Sequence, residues 1–246
     1  MFPPLLLLAT AAAILCMGIQ GQMLGIRILG IEEGWLSYLI AVSYALYAAF
    51  WCVKLAIDAA VFVKQIRRVP QQKIAGKTVR VLNTPALFSA IVGFWKPEFA
   101  VTSGLLKTLD SAHLQAVIAH EQAHYDCRDT FWFFWLGWLR QIAAWLPHTQ
   151  ALWEELLTLR ELRADAKAAA KVDALLLAEA LLLVASYPHG YSEIAGVVGA
   201  AGLPNRLGER IDALLADVEM PSQPNQWFWS WLFLALLPLV TVPFHG

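Results

Sequence analysis

The chain has 246 residues, of which 59 % are hydrophobic and only 15 % charged, with a formal net charge of −1. Soluble domains carry about 25 % charged residues, so this composition excludes a disordered chain, a coiled coil and a nucleic-acid binder of the basic-patch kind. A single core in so short a chain cannot absorb this much apolar surface, and membrane-spanning segments are expected.

Residues 4–26 carry no charge and are long enough to span a bilayer. No basic region precedes them, which favours a retained span over a cleaved signal peptide. Arg27, Glu32 and Glu33 mark a short polar loop, and residues 35–53 form a second uncharged run. Trp35 and Tyr38 suit a headgroup belt. Residues 1–64 therefore read as two transmembrane helices with a short loop. Gly18, Gly21 and Gly25 space small residues along the first span, a pattern compatible with packing on a second copy or another membrane partner.

Residues 65–77 are polar, contain Pro70 and Gly76, and read as a linker. Basic side chains crowd 64–107, where Glu98 is the only acid. By the positive-inside rule this stretch is cytoplasmic. A multi-pass protein of the plasma (inner) membrane is expected, with residues 78–220 forming a domain on the cytoplasmic side. Thr78 to Leu82 alternates like a strand, and residues 89–94 and 98–102 read as two strands flanking a Lys96-Pro97 turn. The strand at 98–102 is a candidate to hold an extended peptide by strand addition. Asp110 or Ser111 can cap a helix over about 113–127. The aromatic run 131–146 follows, then a helix from about 150 to 171, a core helix over 175–184 and an amphipathic segment over 207–218. Residues 221–226 read as a linker, and residues 227–244 as a third, C-terminal span.

The chemistry lies in His120-Glu121-Gln122-Ala123-His124, an HExxH motif. On a helix, side chains four apart share a face, so both imidazoles reach one metal ion. Catalytic zinc takes three protein ligands and a water, whose proton the adjacent carboxylate accepts. A shuffled chain of this composition holds the motif on the order of one per cent of the time. No third histidine follows nearby. Glu161 and Asp165 are i,i+4 on the later helix, which makes Glu161 a candidate ligand and Asp165 a candidate partner of a ligand imidazole. The bland alternative for that pair is an exposed, charge-laced helix face. Asp129 reads as a structural brace at the end of the HExxH helix, paired with Arg128, Arg140 or another base. A ligand in 120–124 and one at 161 must lie on one side of the membrane. Two crossings need about 40 residues, more than the interval supplies, so 131–146 is expected to lie in the interface or to dip in and return.

Val92-Gly93-Phe94-Trp95-Lys96-Pro97-Glu98-Phe99-Ala100-Val101, then Gly104-Leu105-Leu106, HExxH, Arg128-Asp129, Arg160-Glu161 and Asp165 occur in the order seen in BlaR/MecR-type antirepressor zinc peptidases. The chain resembles this gluzincin group over about residues 78–218. The resemblance implies a mainly α membrane protein, with a gluzincin-type peptidase domain that contains a small β-hairpin or sheet and is flanked by transmembrane helices. It implies one Zn2+ held by His120, His124 and Glu161, Glu121 as general base, and Asp165 behind a ligand histidine. The implied reaction is cleavage of a protein or peptide substrate, often a repressor. Those receptors have a further span before the domain and a penicillin-binding sensor after the last span, so a ligand-sensing role is not carried over. Pro147-His148 stands where relatives often have Asn-Pro.

The HtpX and CAAX-prenyl-protease type shares HExxH and the Glu-x-x-x-Asp pair, and is the alternative. In that type an arginine after the domain is thought to steady the oxyanion. Arg210 occupies the matching position, although a solvated arginine on an amphipathic helix is the default reading. His148 and His189 are further candidate oxyanion donors. A non-catalytic signalling subunit with a structural metal site is a third reading, against which the intact Glu121 argues. The bilayer and a polypeptide substrate are the expected partners; nucleic acid is not.

Overall fold

The computed structural model describes residues 2–18, 33–74, 76–186, 206–216 and 227–242. They form mostly helices with one small mixed sheet, in two compact units. The polar loop 27–32, the linker 221–226, Gly21, Gly25 and His189 lie outside the described residues.

One unit comprises residues 1–54, 137–147 and 222–246. Its first helix, α1 (Phe2–Met17), is uniformly apolar and 16 residues long. The last helix, α9 (Trp227–Thr241), has 15 residues and contains Pro238. At 1.5 Å per residue each spans less than the roughly 30 Å of a hydrocarbon core. They pack on each other, with Ala9, Ala13 and Ala235 buried, small side chains that let the helices approach closely. Helix α2 (Glu33–Arg67) runs 35 residues, past the uncharged run that ends at 53 and slightly past the expected boundary at 64. It is the one described helix long and apolar enough to cross a membrane, over Trp35–Arg67. Leu36, Ile40, Leu46 and Phe50 all stand exposed on it. In this unit Ala48 and Trp51 pack with Leu139, Ile142, Leu5 and Leu8, and the Trp138 indole donates to the Ala48 carbonyl at 2.8 Å.

The other unit comprises residues 55–136 and 148–221. Strands β1 (Gln71–Ile74), β2 (Lys77–Leu82), β3 (Ser89–Val92) and β4 (Glu98–Thr102) lie in the order β1-β2-β4-β3. β1 pairs antiparallel with β2, β2 parallel with β4, and β3 antiparallel with β4 in the register Ile91↔Phe99. Two expectations are corrected here. The stretch 65–77 is not an irregular linker, because β1 occupies part of it and α2 runs into it. And β4 is an inner strand with both edges paired, so it has no hydrogen bonds to offer a peptide; β3 is the free edge beside the next helix but one.

After the sheet come α3 (Ser103–Thr108), α4 (Ser111–Asp126), α5 (Asp129–Ile142), α6 (Thr149–Ala169), α7 (Ala174–Ala185) and α8 (Leu207–Leu215). Two cores sandwich the sheet. On one face Val79, Val101 and Leu105 meet Ala116 and Val117 of α4, Ala168 of α6 and Leu177 of α7. On the other, Phe88, Ala90, Val92 and Ala100 pack on Phe62, Val63 and Ile66 at the end of α2. Gly104 seals the sheet–helix corner: its N–H donates to Thr84 O at 3.0 Å, and any Cβ there would collide with the Pro85 carbonyl.

Candidate active site

Helix α4 starts where Asp110 accepts from the backbone N–H groups of Ala112 (3.0 Å) and His113 (2.9 Å), satisfying two donors that a helix start leaves unpaired. Its periodicity then sets His120 and His124 one turn apart. Glu121 and Ala123 are buried with His120. Arg128 ends this region with a left-handed backbone, φ 52°. That reversal turns the chain sharply, so that Asp129, the first residue of α5, comes back beneath His124.

The Nε2 atoms of His120 and His124 lie 3.1 Å apart. Glu161, on α6, completes the group: its carboxylate oxygens sit 3.4 Å from His120 Nε2 and 3.7 Å from His124 Nε2. One donor atom from each of the three residues lies within 4.8 Å of the others. The remaining ring nitrogens each face an aspartate. His120 Nδ1 lies 2.8 Å from Asp165 Oδ1, and His124 Nδ1 lies 2.6 Å from Asp129 Oδ2. An ionised carboxylate accepts only, which favours the proton at Nδ1 of each ring. Both Nε2 lone pairs then point at one another and at a carboxylate, an arrangement that repels itself unless a cation sits between them. The donor set, two imidazoles and one carboxylate, is that of zinc hydrolase sites. The residues fit a divalent metal.

The electrostatics agree. Burial opposes charge on the His120 imidazole, but Asp165 and Glu161 outweigh it and raise its pKa to about 10. His124 is raised in the same way by Asp129 and Glu161 against its own burial. Burial pushes the Glu161 carboxyl up, and Arg160 with the two imidazoles brings it well below the usual range. A field that favours a proton at Nε2 equally favours a metal ion there. Arg160 also lies over the Phe133 ring at 4.7 Å, which fixes the guanidinium beside Glu161.

Glu121 points toward the sheet. Ser89 Oγ, on the free edge strand β3, donates to Glu121 Oε1 at 2.7 Å. Glu121 lines a cleft of about 250 Å3 together with Gln122 and Tyr125 of α4, Ile91 of β3, Phe99 of β4 and Lys77 of β2. There is room for part of a peptide beside the carboxylate.

Arg210 is not a solvated side chain on an amphipathic helix. From α8 it grips Asp165 with two parallel bonds, Nε to Oδ2 at 2.7 Å and Nη2 to Oδ1 at 2.8 Å, and its Nη1 lies 3.5 Å from Glu161 Oε2. Asp165, nearly fully buried, has its pKa lowered: burial opposes, and Arg210 and His120 prevail. His148 is exposed at the start of α6, with φ 62°, and is not part of the cluster. Sequence reasoning missed the contact of Asp129 with His124. Asp129 is a brace, as expected, but against His124 as well as against Arg163, which bonds its other oxygen. Ser89 was not singled out either; nothing local marks a serine at a strand edge.

No curated protein matches the chain. The family model of Peptidase family M48 matches residues 64–188, which takes in the sheet, the HExxH helix, Glu161 and Asp165. The match covers more than half of the sequence, and the chain belongs to peptidase family M48, which indicates a metallopeptidase.

Proposed function

We propose that the protein is a membrane-embedded zinc endopeptidase that cleaves a protein substrate at the cytoplasmic membrane face. The observation that carries this is the convergence of two Nε2 lone pairs and the Glu161 carboxylate next to Glu121, within a family whose peptidases are typically zinc-dependent and often membrane-associated. His120, His124 and Glu161 would hold the ion. When bound, zinc acidifies water and polarises the scissile carbonyl. Glu121 accepts the proton of the attacking water and passes it to the leaving amine. Ser89, donating to one oxygen of Glu121, fixes that carboxylate's rotation. Asp165 and Asp129 hold the two imidazoles in the tautomer that presents Nε2. Arg210 in turn fixes Asp165. The edge of β3 supplies backbone donors and acceptors for an extended substrate.

Within this reading the BlaR/MecR-type role, cleavage of a repressor, and the HtpX/CAAX-prenyl-protease type, quality control or processing, predict different substrates. The family match covers M48 as a whole and does not single out the antirepressor group. Arg210, engaged with Asp165 and Glu161, acts in both types as the residue that positions Asp165. The deciding experiment compares cellular proteomes with wild-type and Glu121→Gln protein. One lost fragment, from a transcriptional regulator, supports the antirepressor role. Several, from membrane proteins, support quality control. No difference, together with no chelator-sensitive proteolysis in membranes, leaves a structural metal site in a signalling subunit and ends the enzymatic reading.

A further inference from the structure

The turn between β3 and β4 has an unusual division of labour. Gly93 adopts φ +119°, where a Cβ would meet Lys96 O at 2.8 Å, so only glycine allows so tight a reversal. The reversal sends the two aromatic residues that follow in opposite senses. Phe94 turns inward onto α5, with ring centroids 4.9 Å from Phe131 and 5.1 Å from Phe134. Trp95 is left 81 % exposed. Beside it on α5, Trp132 is 58 % exposed and Trp135 is exposed too, and Phe131 lies 6.1 Å from the Trp95 ring. Clustered exposed indoles mark a surface that something covers.

Three observations say what covers it. The exposed residues are tryptophans, whose apolar body and N–H suit the headgroup layer better than either water or hydrocarbon. The charge around them is positive: Lys96 and Arg128 are exposed, while the nearby acids are consumed, Glu98 by Arg67 and Arg80 and Asp129 by Arg163. And the hairpin is fastened to the end of the helix that can cross a membrane. Arg67, the last residue of α2, bonds Glu98 at 2.6 Å and the Lys96 carbonyl at 3.4 Å, and Val92 and Ala100 pack on Phe62, Val63 and Ile66.

We infer that the β3–β4 tip and the first turns of α5 form a lipid-inserting edge that seats in the headgroup layer of an anionic bilayer. Trp95 and Trp132 enter the layer, and Lys96 and Arg128 meet lipid phosphates. The inference rests on the membrane reading of the protein. Its consequence for that reading is that β3, which leads into this edge, offers its free side to polypeptide close to the membrane surface.

The test uses the full chain, with Cys16, Cys52 and Cys127 replaced by alanine, reconstituted into vesicles of zwitterionic lipid with three-tenths phosphatidylglycerol. A polarity-sensitive fluorophore is attached at Trp95→Cys or, for comparison, at the exposed Leu175→Cys on α7. The expected result is a blue-shifted emission at position 95, several-fold stronger quenching by bromolipids than at 175, and protection from aqueous iodide. Replacing Lys96 and Arg128 with glutamate should reduce the bromolipid quenching at 95. Bromolipid quenching no greater at 95 than at 175 overturns the inference. Protection from iodide without bromolipid quenching also overturns it, and assigns the patch to a second copy or another protein. None of these readouts depends on proteolysis, so a failure of the enzymatic reading is separately visible as absent cleavage.

Discussion

Helix α4 carries a histidine–carboxylate group at each end, and the two ends differ instructively. Near its start, His113 lies between two acids, with Nδ1 2.8 Å from Asp110 and Nε2 3.3 Å from Glu179. Near its end, His120 also lies between two acids, Asp165 and Glu161. By inventory the sites match; by chemistry they do not. Both nitrogens of His113 are spent on acids whose side chains are 64 % and 52 % exposed, so water screens the group and no lone pairs converge. At the other end each imidazole spends one nitrogen on a buried aspartate, with side-chain exposures of only 2 % and 6 %, and turns the other toward a common point. A metal site is therefore made by the direction of leftover lone pairs and by burial. The mere company of histidines and acids does not suffice.

The sharpest break in this contrast is Glu121→Gln. It should leave metal content unchanged and reduce turnover of a cleavable peptide by roughly a hundred- to ten-thousand-fold, the usual worth of a general base; metal analysis and steady-state kinetics on one preparation check both halves. Next comes Arg210→Met, which strands Asp165 in the interior. A broken buried pair costs about 3 kcal/mol, read as a lower Tm, and Arg210→Lys should recover only part, because an ammonium cannot reproduce the parallel two-bond grip. Asp129→Asn should weaken zinc affinity by about ten- to a hundred-fold, as loss of a partner behind a ligand imidazole does; competition with a chelating dye measures it, and an unchanged affinity would show that Asp129 only braces Arg163.

The smallest effect belongs to the exposed end. Hydrogen bonding to Asp110 holds the His113 pKa above its ordinary 6.5, with Glu179 adding to it against slight burial. The folded value is raised, so the contribution to stability is fully present below about pH 6.5 and disappears as pH rises through the folded value. Melting curves of wild type and His113→Gln at pH 5.5 and pH 9 should diverge at the lower pH by a few tenths of a kcal/mol, typical of a screened surface pair.

The parts of this site legible in the sequence are those with local periodicity. The Asp110 cap, the four-residue spacing of His120 and His124, and the same spacing of Glu161 and Asp165 each follow from helix geometry alone. β2, β3 and β4 also stand where alternation places them. What escaped depends on distance or on backbone sign. Strand β1 reads Gln-Gln-Lys-Ile, an exposed edge without apolar alternation, so no period betrays it. Arg210 meets Asp165 across 45 positions, and no local pattern distinguishes it from a solvated arginine. Asp129 reaches His124 only because Arg128 takes a left-handed conformation, which a non-glycine residue seldom reveals in advance. Over the expected first and third spans the described helices are α1, of 16 residues, and α9, of 15 residues with Pro238 inside it.

One of these features ties the aromatic helix to the chemistry. Asp129 is at once the residue that orients His124 and the first residue of α5. A tilt of α5 would carry that carboxylate with it, like a lever working a latch. The hydrogen bond that orients the His124 ring is therefore anchored in the same helix that carries the exposed tryptophans.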